Sequence, residues 1–316
     1  MNIKKEQLKN ARILVVGDLM LDRYWFGDVS RISPEAPVPV VLVDHLDERL
    51  GGAANVARNA VALGAQTAIM GVLGVDEPGD RIATMLQDAG VKTHVVRDEQ
   101  SPTIIKLRVI GRQQQLLRID FEKAPSRDVL LEKLDQFADL LPQFDLVVLS
   151  DYGKGGLTHV TEMIKLAKKA GIPVLVDPKG EEYHKYAGAD VLTPNRSELR
   201  QVVGRWKTEQ DLRERAQKLR CELPVKHLLL TRSEEGMTLY GDNDELHVPA
   251  QAREVYDVSG AGDTVIATLA VSLGAGIDIH DAVRLANKAG GIVVGKLGTA
   301  VISPDELFDG WAPGPV

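Results

Sequence analysis

The sequence predicts an α/β fold: a mostly parallel central sheet with helices on both faces, plus a small β-sheet lid. Three observations lead there. Short β-branched runs alternate with longer helical patterns. The candidate strands read as continuous apolar runs, as burial on both faces requires. The composition is ordinary for a globular protein, 44% hydrophobic and 26% charged over 316 residues, with chain enough for a large core.

Strands are predicted over Arg12–Val16, Thr67–Val72, Leu146–Ser150, Pro173–Asp177, Val191–Thr193 and His227–Thr231. Helices are predicted over Ala53–Leu63, Arg81–Ala89, Val129–Leu141, Thr158–Ala170, Glu209–Arg220, Ala261–Leu273 and Ile279–Gly295. Two stretches break the alternation. The prolines of SPEAPVPVVLV at Ser33–Val43 suit an edge strand or the start of one. TIIKLRVIGRQQQLLRIDF at Thr103–Phe121 reads as two strands joined by a polar turn near Gly111–Gln114. We assign residues 33–45 and 103–121 to a lid over the carboxyl edge of the main sheet; an extension of the core sheet's edge is the alternative. The length fits one large domain or two small ones. With no internal repeat, a single domain over 1–316 is expected.

Charge and cysteine content narrow the function. Acids outnumber Lys and Arg by 45 to 38, a net charge of −7, which argues against a non-specific nucleic-acid or anionic-membrane binder. An acidic protein that binds phosphates must then gather positive charge locally. The one cysteine, Cys221, rules out an intramolecular disulfide and a cysteine-rich zinc site, and a reducing, cytoplasmic compartment fits. The apolar run after the charged N-terminus is too short for a signal peptide. No segment reaches the ~18 consecutive apolar residues of a membrane span.

The polar residues gather at strand ends. Asp18, Asp151, Asp177 and Asn195 close four predicted strands, and Thr231 and Ser233 a fifth. In open α/β sheets that edge holds the site. Any one of these residues can be a helix cap or turn residue; five strands ending this way point to a shared crevice. The strongest local signal is DVSGAGDT at Asp257–Thr264, followed by the helical run VIATLAVSL. Gly260, Ala261 and Gly262 open a helix, where bare backbone amides and the helix dipole attract an anion. Asp263 in the first turn can accept a proton from an attacking hydroxyl. Tight helix–strand packing is the alternative reading of the glycines. No G-x-x-x-x-G-K-[ST] occurs, and the first strand runs into GDLMLD rather than G-x-G-x-x-G, which disfavours a dinucleotide dehydrogenase.

Three further groups follow. Gly51, Gly52 and Asn55 in GGAANVARNAVALG open a second helix; the amide can donate to and accept from sugar hydroxyls, or the turn simply packs on a strand. Asn195 and Glu198 in NRSE offer two oxygen ligands three residues apart, suited to Mg²⁺, and the same spacing fits a helix capping box. Alternation puts Lys106 and Arg108 on one strand face, where they can hold a substrate phosphate or face solvent. Lys179 in DPKG is another candidate for that phosphate.

These residues resemble the ribokinase family, also called the phosphofructokinase-B carbohydrate kinases. GGAANVARNAVALG and DVSGAGDT are similar to its two signatures, NRSE to its N-x-x-E magnesium motif, and TRSEEG at Thr231–Gly236 to its nucleotide-side turn. The resemblance runs from about Arg12 to Phe308. It implies ATP as phosphoryl donor, Mg²⁺ at Asn195 and Glu198, Asp263 as base and Gly260–Gly262 as anion hole. It also implies a monovalent-cation loop, for K⁺, near Asp257 and Ser259. Nucleotide contacts are then expected from Asn195, Glu198, Thr231, Ser233, Gly236 and Asn287. The sugar is expected on Asp18, Gly51, Gly52, Asn55 and Asp151, with a phosphate on Lys106, Arg108 and Lys179. RISPEAPVPVV, PTIIKLRVIGRQQQLLRIDFE, LSDYGKGGL and DPKG resemble a branch of the family whose substrate is a phosphorylated heptose. Some relatives carry a fused nucleotidylyltransferase domain; a stand-alone kinase is expected here. Exposed lid edges need covering, and many relatives pair through them, so a homodimer through the lid strands is expected.

Overall fold

The structure, a computed structural model, describes residues 3–112, 114–242, 244–251 and 254–311. Its thirteen strands run in chain order β1 (Arg12–Gly17), β2 (Leu19–Ile32), β3 (Pro39–Gly52), β4 (Gln66–Gly74), β5 (Lys92–Asp98), β6 (Ile104–Gly111), β7 (Gln114–Phe121), β8 (Leu146–Ser150), β9 (Val174–Asp177), β10 (Val191–Leu192), β11 (His227–Thr231), β12 (Met237–Tyr240) and β13 (Glu245–Val248). The helices are α1 (Ala53–Ala62), α2 (Glu77–Asp88), α3 (Arg127–Leu140), α4 (Val160–Lys169), α5 (Arg196–Val203), α6 (Glu209–Glu222), α7 (Ala261–Gly274), α8 (Ile279–Val293) and α9 (Pro304–Phe308).

Nine strands form the central sheet in the order β13-β12-β11-β10-β9-β8-β1-β4-β5. The six pairings from β11 to β5 are parallel; β12 and β13 close one side antiparallel. Alternate side chains of β1 enter different cores. Ile13 and Val15 pack with α1, α7 and α8 on one face. Leu14 and Val16 pack with α4, α6 and the Tyr183/Tyr186 pair on the other. This two-sided burial is why the strands read as unbroken apolar runs. The chain leaves β1 for β4 on one side and β8 on the other, so the strand order reverses there and a crevice opens at the carboxyl ends.

The lid is a separate four-stranded sheet, β3-β2-β6-β7, not an edge of the core sheet. Only the β2–β6 pairing is parallel. Its register gives the lid two unlike faces. One carries the cross-strand rows Arg49–Asp22–Lys106–Asp120 and Asp47–Tyr24–Arg108–Arg118. The other carries Glu48–Arg23–Leu107–Ile119 and Leu46–Trp25–Val109–Leu117. Arg23 ties the lid's base to α2 by pairing with Glu48 and Glu77, and Arg81 of α2 reaches the same Glu48.

The lid also holds the main differences from the expected elements. The proline-rich segment becomes a strand only at Pro39 and then continues to Gly52, well beyond residue 45. Its partner β2 was not expected at all. Leu19–Asp22 are buried while the tip is exposed, so β2 has no single period to read. Of the turn expected near Gly111–Gln114, Gln113 lies outside the described residues. Helix α2 starts at Glu77 instead of Arg81 because the Asp76 side chain accepts from Gly79 N at 2.9 Å, making Glu77-Pro78-Gly79 a first turn. No helix among the described residues is long and apolar enough to cross a membrane.

Candidate active site

The site is built on the start of α7. Gly260 caps this helix with φ +75°, a left-handed conformation that favours glycine. A Cβ there would also lie 2.8 Å from Asn55 Nδ2. Gly262 has a different reason to be small. A Cβ at this position would meet no protein atom within 4 Å. Helix–strand packing therefore does not require it; what it leaves clear is the cleft.

Asp263 follows in the first turn and is 6% exposed. Asn55 Nδ2 donates to its Oδ2 at 2.7 Å, and the Tyr152 hydroxyl donates to its Oδ1 at 2.5 Å. Burial pushes its carboxyl up to about 6, against the pull of these two donors; nearby Asp22 raises it further and Lys106 lowers it. Such a group is an effective proton acceptor near neutral pH.

Two cavities meet at this helix start. The first, about 720 Å³, is lined by Asp151, Asp177, Lys179, Glu198, Gly262 and Asp263 among others. The second, about 420 Å³, is more apolar, lined by Met237, Val255, Val258 and Val265 together with Gly236 and Asn287. Thr231, Ser233 and Gly262 line both, so the two form one continuous cleft. Asn287 is tied down by donating to Pro249 O at 2.9 Å.

Several expected sugar contacts have protein partners of their own. Asn55 is 0% exposed and lies behind Asp263, orienting the carboxylate rather than lining the cleft. Asp18 is a loop clamp. Its Oδ2 accepts from Tyr152 N and Lys154 N, each at 3.0 Å, and its Oδ1 from Gly156 N at 2.9 Å. Asp151 accepts from Gly153 N at 2.7 Å, Lys185 Nζ at 2.8 Å and the Tyr186 hydroxyl at 2.6 Å. Lys179 does not join Lys106 and Arg108; its partner is Glu198, at 2.9 Å. Gly51 and Gly52 end β3, and a side chain at Gly51 would strike Asp22.

Asn195 and Glu198 form a reciprocal capping box at the start of α5, both bonds 3.0 Å. The capping alternative is thus realised with the same oxygens the metal reading used. Asp257 accepts from Ser259 N at 2.9 Å and Gly298 N at 3.0 Å, joining two loops.

Residues given no role from the sequence also gather here: Tyr152 and Asp177, the latter read only as a strand end, line the cleft, and Asp22, Arg118 and Lys154 stand near Lys106. Asp22 is 7% exposed and pairs with Arg108 at 2.6 Å. Tyr152 holds Asp263. Asp177 is half-buried; burial, then Asp263 and Glu198, raise its pKa well above the usual carboxylate range. Arg118 lies directly opposite Arg108, and Lys154 and Arg118 both depress the Lys106 ammonium, whose pKa burial already lowers. The readable signals were an acid closing the apolar LML run and a tyrosine beside Asp151.

A model of pfkB family carbohydrate kinases matches residues 10–306. The chain belongs to the pfkB family of carbohydrate kinases. This pfkB kinase is 59% identical over 302 residues to "D-beta-D-heptose 7-phosphate kinase" of Bordetella bronchiseptica, covering 96% of each chain. It is 55% identical to "Bifunctional protein HldE" of Aeromonas salmonicida, across 97% of this chain but 65% of that protein. In fold it is similar to crystalline phosphofructokinase-2 from Escherichia coli, with a TM-score of 0.80, 21% identity, and coverage of 95% of this chain and 97% of that one. Like the family, the pfkB kinase is an ATP-dependent sugar kinase.

The free space around Gly262 yields a test. Gly262→Ala should leave thermal stability equal or raised by up to about 1 kcal/mol, since alanine favours helix. Turnover should fall about tenfold or more, the result expected where a reacting group occupies that space. A variant with normal turnover in a coupled ADP assay would show that nothing reacts there.

Proposed function

We propose that this kinase transfers the γ-phosphoryl group of ATP to the anomeric O1 hydroxyl of D-glycero-β-D-manno-heptose 7-phosphate. The product is the 1,7-bisphosphate, which feeds ADP-heptose and lipopolysaccharide core synthesis. The observation that carries the chemistry is Asp263, a buried carboxylate of raised basicity at a helix start that opens on a cleft. The heptose assignment is supported by the 59% identity to a protein named for that activity and by a lid face rich in cations.

In this reading the apolar cavity by Asn287 takes the adenine, and Thr231, Ser233 and Gly236 flank the nucleotide. The γ-phosphate lies at the amides of Ala261 and Gly262. O1 attacks the γ-phosphorus, the bond to the β–γ bridging oxygen breaks, and Asp263 takes the hydroxyl proton. The amides and the dipole of α7 offset charge on the phosphoryl oxygens. Asp22, Gly51 and Gly52 face the sugar.

The 7-phosphate meets Lys106 and Arg108, with Arg118 and Lys154 adding to the field. Arg108 and Arg118 stand directly opposite each other, each paired with a carboxylate, Asp22 and Asp120; a phosphate there would compete for those guanidinium groups. Mg²⁺ fits the other side: Asn195, Glu198 and Asp177 offer oxygen donors amid excess negative charge, and among the described residues no cluster of three or more His, Cys, Asp or Glu encloses a metal. The ion would therefore keep waters and nucleotide oxygens as ligands, offsetting phosphate charge when bound. We assign K⁺ to the loop of Asp257 and Ser259; replacing K⁺ by Na⁺ should slow turnover, and equal rates would remove that assignment.

The lid's other face supports a homodimer of lid against lid. Leu46 and Leu117 in its cross-strand row are 60% and 53% exposed, an apolar surface that a second copy would cover.

Four outcomes are expected. Asp263→Asn should lose about 10²–10⁴ in kcat while remaining folded. With wild-type enzyme, kcat/KM should fall as pH drops through about 6, because the base must be ionised; an ordinary carboxylate would hold its activity to about pH 4. Arg108→Glu should raise KM for the heptose phosphate at least about tenfold and barely alter that for ATP; equal effects on both would move the phosphate site elsewhere. Leu46→Asp with Leu117→Asp should give a monomer by analytical ultracentrifugation, and a dimer unaffected by both would exclude this face.

A further inference from the structure

We infer that Tyr152 is a positioning residue that couples the lid to the catalytic base. The inference rests on the reading of Asp263 as that base. Two contacts converge on the side chain. Its hydroxyl donates to Asp263 Oδ1 at 2.5 Å, and Lys106 Nζ of the lid stands over its ring, 5.5 Å from the centroid.

The backbone beneath is fixed. Asp18 accepts the Tyr152, Lys154 and Gly156 amides. From α3 the fully buried Lys133 donates to Gly156 O, and its ammonium lies in the field of Asp18 and Asp151. A loop held at four points sets the aim of the tyrosine, so its hydroxyl position depends on the ring and on what lies against it.

Each Asp263 oxygen thus has one protein donor, Asn55 on Oδ2 and Tyr152 on Oδ1. An acceptor hydroxyl that approaches Oδ1 along the line Tyr152 uses must displace the phenol. Lys106 is the group that can release it. An anionic substituent on the sugar draws the ammonium off the ring and weakens the cation–π contact. The step exchanges one hydrogen-bond donor for another at Oδ1, and no proton changes owner. Tyr152 keeps its own, since burial and the facing Asp263 hold its pKa well above that of an ordinary phenol. The charged or titratable groups facing Asp263 are Asp22 from β2, Lys106 from β6, Tyr152 after β8 and Asp177 at the end of β9. Of these, only the phenol hydrogen-bonds to it.

The test compares wild type, Tyr152→Phe, Lys106→Met and the double variant, each with Mg-ATP and heptose 7-phosphate. Tyr152→Phe removes one oxygen and leaves the ring, and circular dichroism checks its fold. The acid limb of kcat/KM should move up by about half a pH unit or more, because a donor to the carboxylate is lost. Lys106→Met should cost less activity in the Phe background than in wild type, as coupled residues do. An acid limb that stays put, or effects that simply multiply, would overturn the coupling. Asp263→Asn in the same assay separates the two claims. If it keeps wild-type turnover, the base reading itself fails. If it is inactive while the Tyr152→Phe limb stays put, the coupling alone fails.

Discussion

A carboxylate buried at the start of a helix is costly unless donors meet it, and the cleft is arranged around that constraint. Asp263 is oriented by one donor from α1 and one from the loop after β8. Hydrogen bonds to a charged group contribute about 1.5–3 kcal/mol each, which offsets part of the desolvation. What remains unbalanced appears as the raised pKa. Stability is thus given up where basicity is needed. The supporting shell is polar and buried: Asn59 Oδ1 accepts from Thr264 Oγ1 at 2.9 Å, linking α1 to α7 behind the carboxylate.

The lid uses the period of a β-strand to do two jobs. Its cleft face gathers cations in an otherwise acidic protein. Tyr24 lies between Arg49 and Arg108, whose guanidinium carbons are 4.8 and 5.0 Å from its ring centroid. That stacking holds the guanidinium groups in place beside their carboxylates, Asp47 and Asp22. The opposite face is apolar along the row Leu46–Trp25–Val109–Leu117. A one-residue slip in any of the four strands would exchange the two faces, so the charged row is also what fixes the register.

The central sheet was legible because two-sided burial writes continuous apolar runs. Leu146–Ser150 and His227–Thr231 match their predicted bounds. The half-exposed strands were not, since Lys92–Asp98 and Leu19–Ile32 each combine two environments. At the site, the DVSGAGDT segment carried its geometry openly: a left-handed glycine, a bare position and an acid at fixed spacing. Asn55 and Asp18 were expected on the sugar; in the structure Asn55 donates to Asp263 and Asp18 accepts from the loop after β8. Sequence gives residue type and helical position, not which side of Asp263 an amide will occupy. Asn195 and Glu198 show the same limit, because a capping box and a metal site ask for the same atoms.

The most direct measurement is a crystal structure with ADP, Mg²⁺, an aluminium fluoride mimic of the moving phosphoryl group and the heptose phosphate. The account predicts the mimic at the amide hydrogens of Ala261 and Gly262, in line between the ADP β-phosphate and sugar O1, with O1 in hydrogen-bond reach of Asp263. A mimic bound away from the start of α7, or a sugar hydroxyl that reaches a different base, would contradict it.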